Sequence, residues 1–385
     1  MTLLGYPDAE LEAAGGIWTA REIAQQPAVW RRIVADMTQG DAAIRAFLEP
    51  LLARPDLRIV LTGAGTSAFV GECLATALKR RTQRRVDAVA TTDLIGSPGA
   101  WLEPVPTLLV SFARSGNSPE SVAALSVAQQ GVRDCHHLIV TCNREGALYR
   151  QGGSLSNAHV LLLPEETHDR GFAMTSSFTG MMLATALAFG LLPDCRDAID
   201  AWATHILESA LPLLTALAGE RYERVVYLGG TEFKGLAREA ALKLLELSDG
   251  KVVALADTPL GFRHGPKTIV NERTLVVMFL SNDPYARRYE TDVLNELRTD
   301  GVAARVLALQ AGAAAAGAAA ADTVALSGAD GAADLALSFP FVVFAQAFAL
   351  LQSLALGLRP DTPNARGVVS RVVQGVSIYP WVPSR

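Results

Sequence analysis

Short apolar runs rich in β-branched residues alternate along this chain with longer stretches whose apolar positions recur at helical spacing. In the first half the runs fall near 58–62, 86–90, 107–112, 137–141 and 159–163, and helical stretches at 67–80, 119–131, 145–150 and 172–190 separate them. Strands of four to six residues joined by helices predict an α/β protein with a doubly wound parallel sheet and helices on both faces, a three-layer α/β/α arrangement. Residues 1–45 read as an N-terminal helical arm. Residues 359–385, rich in Pro and Gly and closing in Ile378-Tyr-Pro-Trp381, read as an irregular tail. The alanine tract from Ala311 to Ala321 reads as low-complexity filler in a helix or loop.

The pattern repeats. Ile59-Val-Leu-Thr62 leads into Gly63-Ala-Gly-Thr-Ser67, and Val225-Val-Tyr-Leu228 leads into Gly229-Gly-Thr-Glu232, so Gly65-Thr66 and Gly230-Thr231 stand 165 residues apart. Thr107 and Thr274 open the next apolar runs at an offset of 167, Pro119 and Pro284 open helical stretches at 165, and Gly190 and Gly357 end apolar helices at 167. Four anchors at nearly one offset predict a duplicated pair of domains, 46–200 and 201–358, flanked by the arm and the tail.

Composition narrows the class. Of 385 residues 50% are apolar and 19% charged, which excludes intrinsic disorder and allows a large core. A net charge of -5, from 34 basic and 39 acidic side chains, argues against a nucleic-acid binder. The basic run Lys79, Arg80, Arg81, Arg84 and Arg85 falls where a helix ends, and cations there complement the helix dipole. Four cysteines (Cys73, Cys135, Cys142, Cys195) form no C-x-x-C pair and have no metal-type spacing with the six histidines, so reduced thiols, a cytoplasmic location and no metal are expected. The first residues show no basic stretch followed by an apolar one, so no secretory signal is read. Leu335 to Leu358 carries no charge and has the length of a membrane span, but it contains Pro340, Gln346 and Gln352. A buried core helix is the expectation, with no membrane partner.

In a doubly wound sheet, ligands bind beyond the carboxyl ends of the strands, where helices begin. Two loops occupy such places, 63–67 and 112–118. Gly63-Ala-Gly-Thr-Ser-Ala68 satisfies a loose dinucleotide fingerprint, which would call on Asp87 to hold a ribose. Beside Ala113-Arg-Ser-Gly-Asn-Ser118 it fits a small phosphate monoester equally, through backbone N–H groups and the Ser67, Ser115 and Ser118 hydroxyls. Both loops also read as plain helix caps. In the second copy, Leu236-Ala-Arg-Glu-Ala-Ala-Leu-Lys-Leu-Leu-Glu-Leu247 places Glu239, Lys243 and Glu246 on one helix face. That face suits either solvent or proton transfer. Gly261-Phe-Arg-His-Gly-Pro-Lys267 puts His264 on a loop, and spacing alone does not join it to a carboxylate.

GAGTS (63–67), SFARSGNS (111–118), EAALKLLE (239–246) and RHGP (263–266), together with the duplication, resemble the double SIS-domain sugar-phosphate isomerases, including the isomerase half of glucosamine-6-phosphate synthase. Arg170-Gly-Phe-Ala-Met-Thr-Ser-Ser177 and Arg371-Val-Val-Gln-Gly-Val-Ser-Ile-Tyr379 are similar to the AgaS-type family of galactosamine-6-phosphate deaminase/isomerases, also described as tagatose-6-phosphate ketose/aldose isomerases. The resemblance covers about residues 40–385.

It implies two tandem SIS domains and an enzyme that needs no cofactor. It places a sugar phosphate on Gly65, Thr66, Ser67, Arg114, Ser115, Gly116, Asn117 and Ser118, with the loop Ala173, Met174, Thr175 and Ser176 bordering the sugar. It assigns Glu246 as the base that moves a proton between C1 and C2, Lys243 beside it, and His264 to ring opening, donated by the partner subunit of a homodimer. Three departures from the synthase stand out: Arg114 replaces a Gln, the gap from Glu246 to His264 is two residues longer, and Arg371 is the nearest alignment to a C-terminal active-site lysine. No glutamine-hydrolysing domain or N-terminal Cys nucleophile is seen. The implied reaction is conversion of D-galactosamine 6-phosphate to D-tagatose 6-phosphate and ammonium. Aldose/ketose isomerisation without deamination and a sugar-phosphate-binding regulator are the alternatives.

Overall fold

A computed structural model describes residues 2–313, 322–373 and 375–382. The greater part of the alanine tract, 314–321, lies outside the described residues; Ala311 ends a strand. The chain packs as two compact units, one of Met1–Pro27, Arg170–Ala173 and Asp194–Ala365, the other of Ala28–Asp169, Met174–Pro193 and Arg366–Arg385. The residues 1–45 are helical from Asp8 onward, in Asp8–Ala14, Ile17–Ala24 and the long helix Gln26–Leu52.

The second of these units holds a five-stranded parallel sheet of β1 (Arg58–Thr62), β2 (Arg85–Ala88), β3 (Thr107–Ala113), β4 (Cys135–Thr141) and β5 (Ala158–Leu162), in the order β2-β1-β3-β4-β5. The central strands β1 and β3 are buried along their whole length, the expected state of a sheet covered on both faces. Helices α1 (Thr66–Thr82), α2 (Pro119–Gly131), α3 (Ala147–Gly153) and α4 (Ser176–Ala188) connect and cover it. Lys79, Arg80 and Arg81 occupy the last turn of α1, where the dipole favours cations. The expected helix 172–190 starts only at Ser176. Residues 172–175 form a loop instead, because Asp169 takes the amide hydrogens that begin the helix.

The other unit repeats the plan with β6 (Arg224–Leu228), β7 (Val253–Asp257), β8 (Thr274–Phe279), β9 (Arg305–Ala311) and β10 (Thr323–Leu326), in the order β10-β9-β8-β6-β7, again all parallel. Read by strand sequence, both sheets run second, first, third, fourth, fifth. The duplication inferred from spacing is therefore a duplication of topology. Helices α5 (Glu232–Leu247), α6 (Pro259–Arg263), α7 (Pro284–Asp300) and α8 (Asp334–Ala355) belong to this unit. Helix α8 is long and apolar enough to cross a membrane, yet 94% of its most apolar window is buried. Phe341 stacks among Phe233 and Phe279 at 5.6 and 5.9 Å, and Gln346 accepts a 2.8 Å hydrogen bond from Gln26. A buried amide with a partner is what a protein core requires.

Candidate active site

In each sheet the strand order reverses between the first and third strands, the position at which a crevice opens for ligands. In the first sheet this lies between β1 and β3, and the loops 63–67 and 113–118 leave from those strands. A Cβ on Gly63 would sit 2.5 Å from the backbone of Ser67, so only glycine allows the chain to fold back that tightly. Gly65 follows with φ +57°, and the Ser67 N–H closes the turn on Ala64 O at 3.1 Å. The second loop is braced from outside: Asn143 Nδ2 donates to Ser115 O at 2.8 Å, Ala147 N–H to Asn117 Oδ1 at 2.9 Å, and Leu148 N–H to Gly116 O at 3.0 Å. Asn117 is thus engaged in holding the loop. Ser118 caps α2, accepting from Ser121 N–H at 3.3 Å and donating to Ser121 Oγ at 2.6 Å.

The two loops meet in a pocket of about 110 Å³ lined by Ala64, Ser67, Ala113, Arg114, Ser115, Ser118, Ser121, Met174 and residues 371–373. Two arginines and four serines line it, and among the described residues no carboxylate does. The N-termini of α1 and α2 add partial positive charge. Arg114 is buried, and its Nη2 donates to Arg371 O at 2.7 Å, while the Arg371 guanidinium donates to Asp169 O. Their field reaches His168, whose imidazole is pushed down first by burial and then by Arg371 and Arg114. The dinucleotide alternative loses its acidic partner, because Asp87 is held by Arg58 at 2.7 Å and Arg85 at 3.0 Å.

Helix α5 carries the proton-transfer candidates. Glu239 and Lys243 are fully buried, so the face they share is not a solvated one. Lys243 Nζ lies 2.6 Å from Glu246 Oε2 and 3.5 Å from Glu239 Oε1, with Glu246 itself 26% exposed. A buried ammonium needs such partners, since desolvating an unpaired charge is prohibitive. The trio leaves one carboxylate, Glu246, fixed in place and open to solvent. His264 follows α6 as its C-terminal cap, exposed, with its N–H on Gly261 O at 3.0 Å. The structure thus brings Ser67, Arg114, Ser115 and Ser118 together with Met174 and Arg371 in one pocket, whose lining does not include Gly65, Thr66, Gly116 or Asn117, and it joins Lys243 to Glu246. Ala173 and Thr175 are buried in the loop leading into α4, and Ser176 is buried as its first residue. The sequence reading missed Asp169, Ser121 and the role of Glu239. Ser121 is signalled by its place three residues after the cap, and nothing in the local pattern marks Asp169. Among the described residues no cluster of His, Cys, Asp or Glu has the make-up of a metal site.

Residues 51–191 match the SIS domain family. The chain is 48% identical over 377 residues to the D-galactosamine-6-phosphate deaminase AgaS of Escherichia coli, covering 96% of this chain and 97% of that one. It is 43% identical to the AgaS of Shewanella sp. (strain ANA-3), over 97% of this chain and 94% of the relative. Among solved structures, the tagatose-6-phosphate ketose/aldose isomerase of Escherichia coli superposes with a TM-score of 0.88 at 45% identity, over 96% of this chain and 98% of that one. With likeness of this degree running almost end to end, the chain belongs to the AgaS family of SIS-domain proteins.

Proposed function

We propose that the protein is a D-galactosamine-6-phosphate deaminase/isomerase. An identity of 48% over nearly the full length to a D-galactosamine-6-phosphate deaminase carries the reading, and a serine- and arginine-lined pocket suited to a phosphate group supports it. The phosphate anchors on Gly65, Thr66, Ser67, Arg114, Ser115, Gly116 and Ser118, with Asn117 bracing the loop and Arg371 at its edge. The loop Ala173, Met174, Thr175 and Ser176 borders the sugar. His264 shuttles the ring-oxygen proton as the hexosamine opens. The C1 aldehyde acidifies the C2 proton, which Glu246 removes, and Lys243 holds that carboxylate in place. Reprotonation at C1 leaves a ketimine at C2. Water adds there, the C2–N bond breaks, and tagatose 6-phosphate and ammonium depart. Each general acid–base step contributes roughly 10²–10⁴-fold, and anchoring the phosphate holds the reacting carbons in register.

The active assembly is a homodimer in which His264 serves the partner's site, and the enzyme works in the cytoplasm, where its free cysteines stay reduced. A second reading, aldose/ketose isomerisation without loss of nitrogen, is favoured by the name of the solved relative. A coupled assay on galactosamine 6-phosphate, glucosamine 6-phosphate and tagatose 6-phosphate separates the two. Deamination predicts ammonium from the galacto substrate in preference to its gluco epimer. Turnover of tagatose 6-phosphate to an aldose, with no ammonium from either hexosamine phosphate, would select the second reading.

A further inference from the structure

We propose that Asp169 is the positioning residue of the phosphate pocket: its carboxylate sets the loop that carries Met174, and its carbonyl holds Arg371. The inference rests on the reading of this pocket as a phosphate subsite. Asp169 is fully buried. Its Oδ2 accepts from the N–H groups of Thr175 at 2.9 Å and Ser177 at 3.0 Å and from the Ser177 hydroxyl. Its Oδ1 accepts from Ser176 N–H at 3.0 Å and Thr175 Oγ1 at 3.2 Å. Helix α4 has no cap from its own N-cap side chain, and the first amide hydrogens of a helix need acceptors. A single carboxylate six to eight residues upstream meets that need.

Met174 immediately precedes the clamped residues. It lines the pocket with its Sδ 4.0 Å from Ser67 Oγ. On another wall, the Asp169 carbonyl accepts from Arg371, whose own carbonyl accepts from Arg114. One buried residue therefore ties two walls of the pocket to the start of α4. Only a carboxylate offers acceptors to all five donors, since an Asn amide would turn two of its own hydrogens toward them.

The test compares Asp169→Asn with Ser177→Ala, which removes one of the five donors. Each variant is assayed for KM and kcat on galactosamine 6-phosphate, for inhibition by inorganic phosphate, and for amide hydrogen exchange at 175–177. The expected results for Asp169→Asn are faster exchange and a rise in KM and in the phosphate inhibition constant of about tenfold or more, with kcat little changed, the signature of lost uniform binding. Ser177→Ala should raise KM about threefold. Faster exchange with KM and phosphate inhibition unchanged would reduce Asp169 to a fold residue and overturn the proposal, as would undisturbed exchange in Asp169→Asn. If Asp169→Asn does not fold, an unchanged KM in Ser177→Ala overturns it. Failure of inorganic phosphate to bind the parent protein would instead reject the phosphate subsite, and the inference with it.

Discussion

Ser115 and Ser118 stand where α2 begins, one on the loop and one as its cap, and both line the pocket proposed to take phosphate. Their hydroxyls were legible from sequence because two Ser- and Gly-rich loops followed strands of one sheet. The cap role of Ser118 was equally legible, as the alternative to a ligand role at the same place. Asp169 was not, because an acidic residue in an irregular stretch has no spacing that announces five donors folding onto it. The burial of Glu239 and Lys243 was hidden too: helical spacing gives the face they share and not what covers it. Ser115→Ala and Ser118→Ala are each expected to weaken galactosamine 6-phosphate by roughly ten- to a hundredfold, since hydrogen bonds to a charged acceptor contribute about 1.5–3 kcal/mol. Competition by inorganic phosphate should weaken in parallel. Equal activity of the parent on the unphosphorylated sugar would contradict the assignment.

At the scale of elements, all nine strand and helix positions expected in the first copy are present, with shifts of a few residues at their ends. Only the start of α4 moved in a way that matters to the site, for the reason given by Asp169. Strand β4 holds a feature that periodicity does not reveal. His137 is fully buried, and neither ring nitrogen has a hydrogen-bond partner among the described residues. Burial pushes its imidazole down to about 4 from the ordinary 6.5. The folded state therefore binds this proton less readily than the unfolded chain. Stability is fully present above the unfolded value of 6.5 and is lost as pH falls toward 4, by about 2 kcal/mol at pH 5. His137→Leu should remove that part of the slope and raise stability at pH 7 by about 1 kcal/mol or more, because an unpaired buried polar group is replaced by an apolar one. Urea unfolding of parent and variant at pH 7.5 and pH 5 measures both, and an identical pH slope in the two proteins would contradict the account.

Across the whole molecule, two sheets of one topology carry two switch points with different residues. At the repeat offset, Ser67 corresponds to Glu232 and Ser118 to Asp283. In the second copy the loop amides are already taken: Ser281 N–H donates to Glu290 at 2.7 Å, Asn282 N–H to Asp334 at 2.7 Å, and Tyr285 and Ala286 N–H to Asp283 at 2.9 Å. Burial pushes Glu290 up to about 7, and Asp334 is raised by the same cause. An anion has no place there, so calorimetry with inorganic phosphate should give one site per chain, and two equivalent sites would contradict this. The sequence showed the duplication and the acidic residues Glu232 and Asp283, whereas the hold of Glu290 and Asp334 on the loop amides could be read only from the structure. For the assembly, inactive Glu246→Gln and His264→Ala chains refolded together should recover about a quarter of parental activity if His264 acts across a two-fold interface. No recovery from a mixture that contains mixed dimers would reject the shared site. The central claim is that Glu246 moves a proton from C2 to C1 of an amino sugar phosphate before nitrogen leaves. Turnover of galactosamine 6-phosphate in D₂O, followed by NMR for parent and Glu246→Gln, tests it most directly. The account predicts tagatose 6-phosphate and ammonium in equal amounts from the parent, with the new C1 hydrogen coming from the C2 position or from solvent deuterium, and neither product from a folded variant that still binds substrate; ammonium release at a parental rate by Glu246→Gln would contradict it.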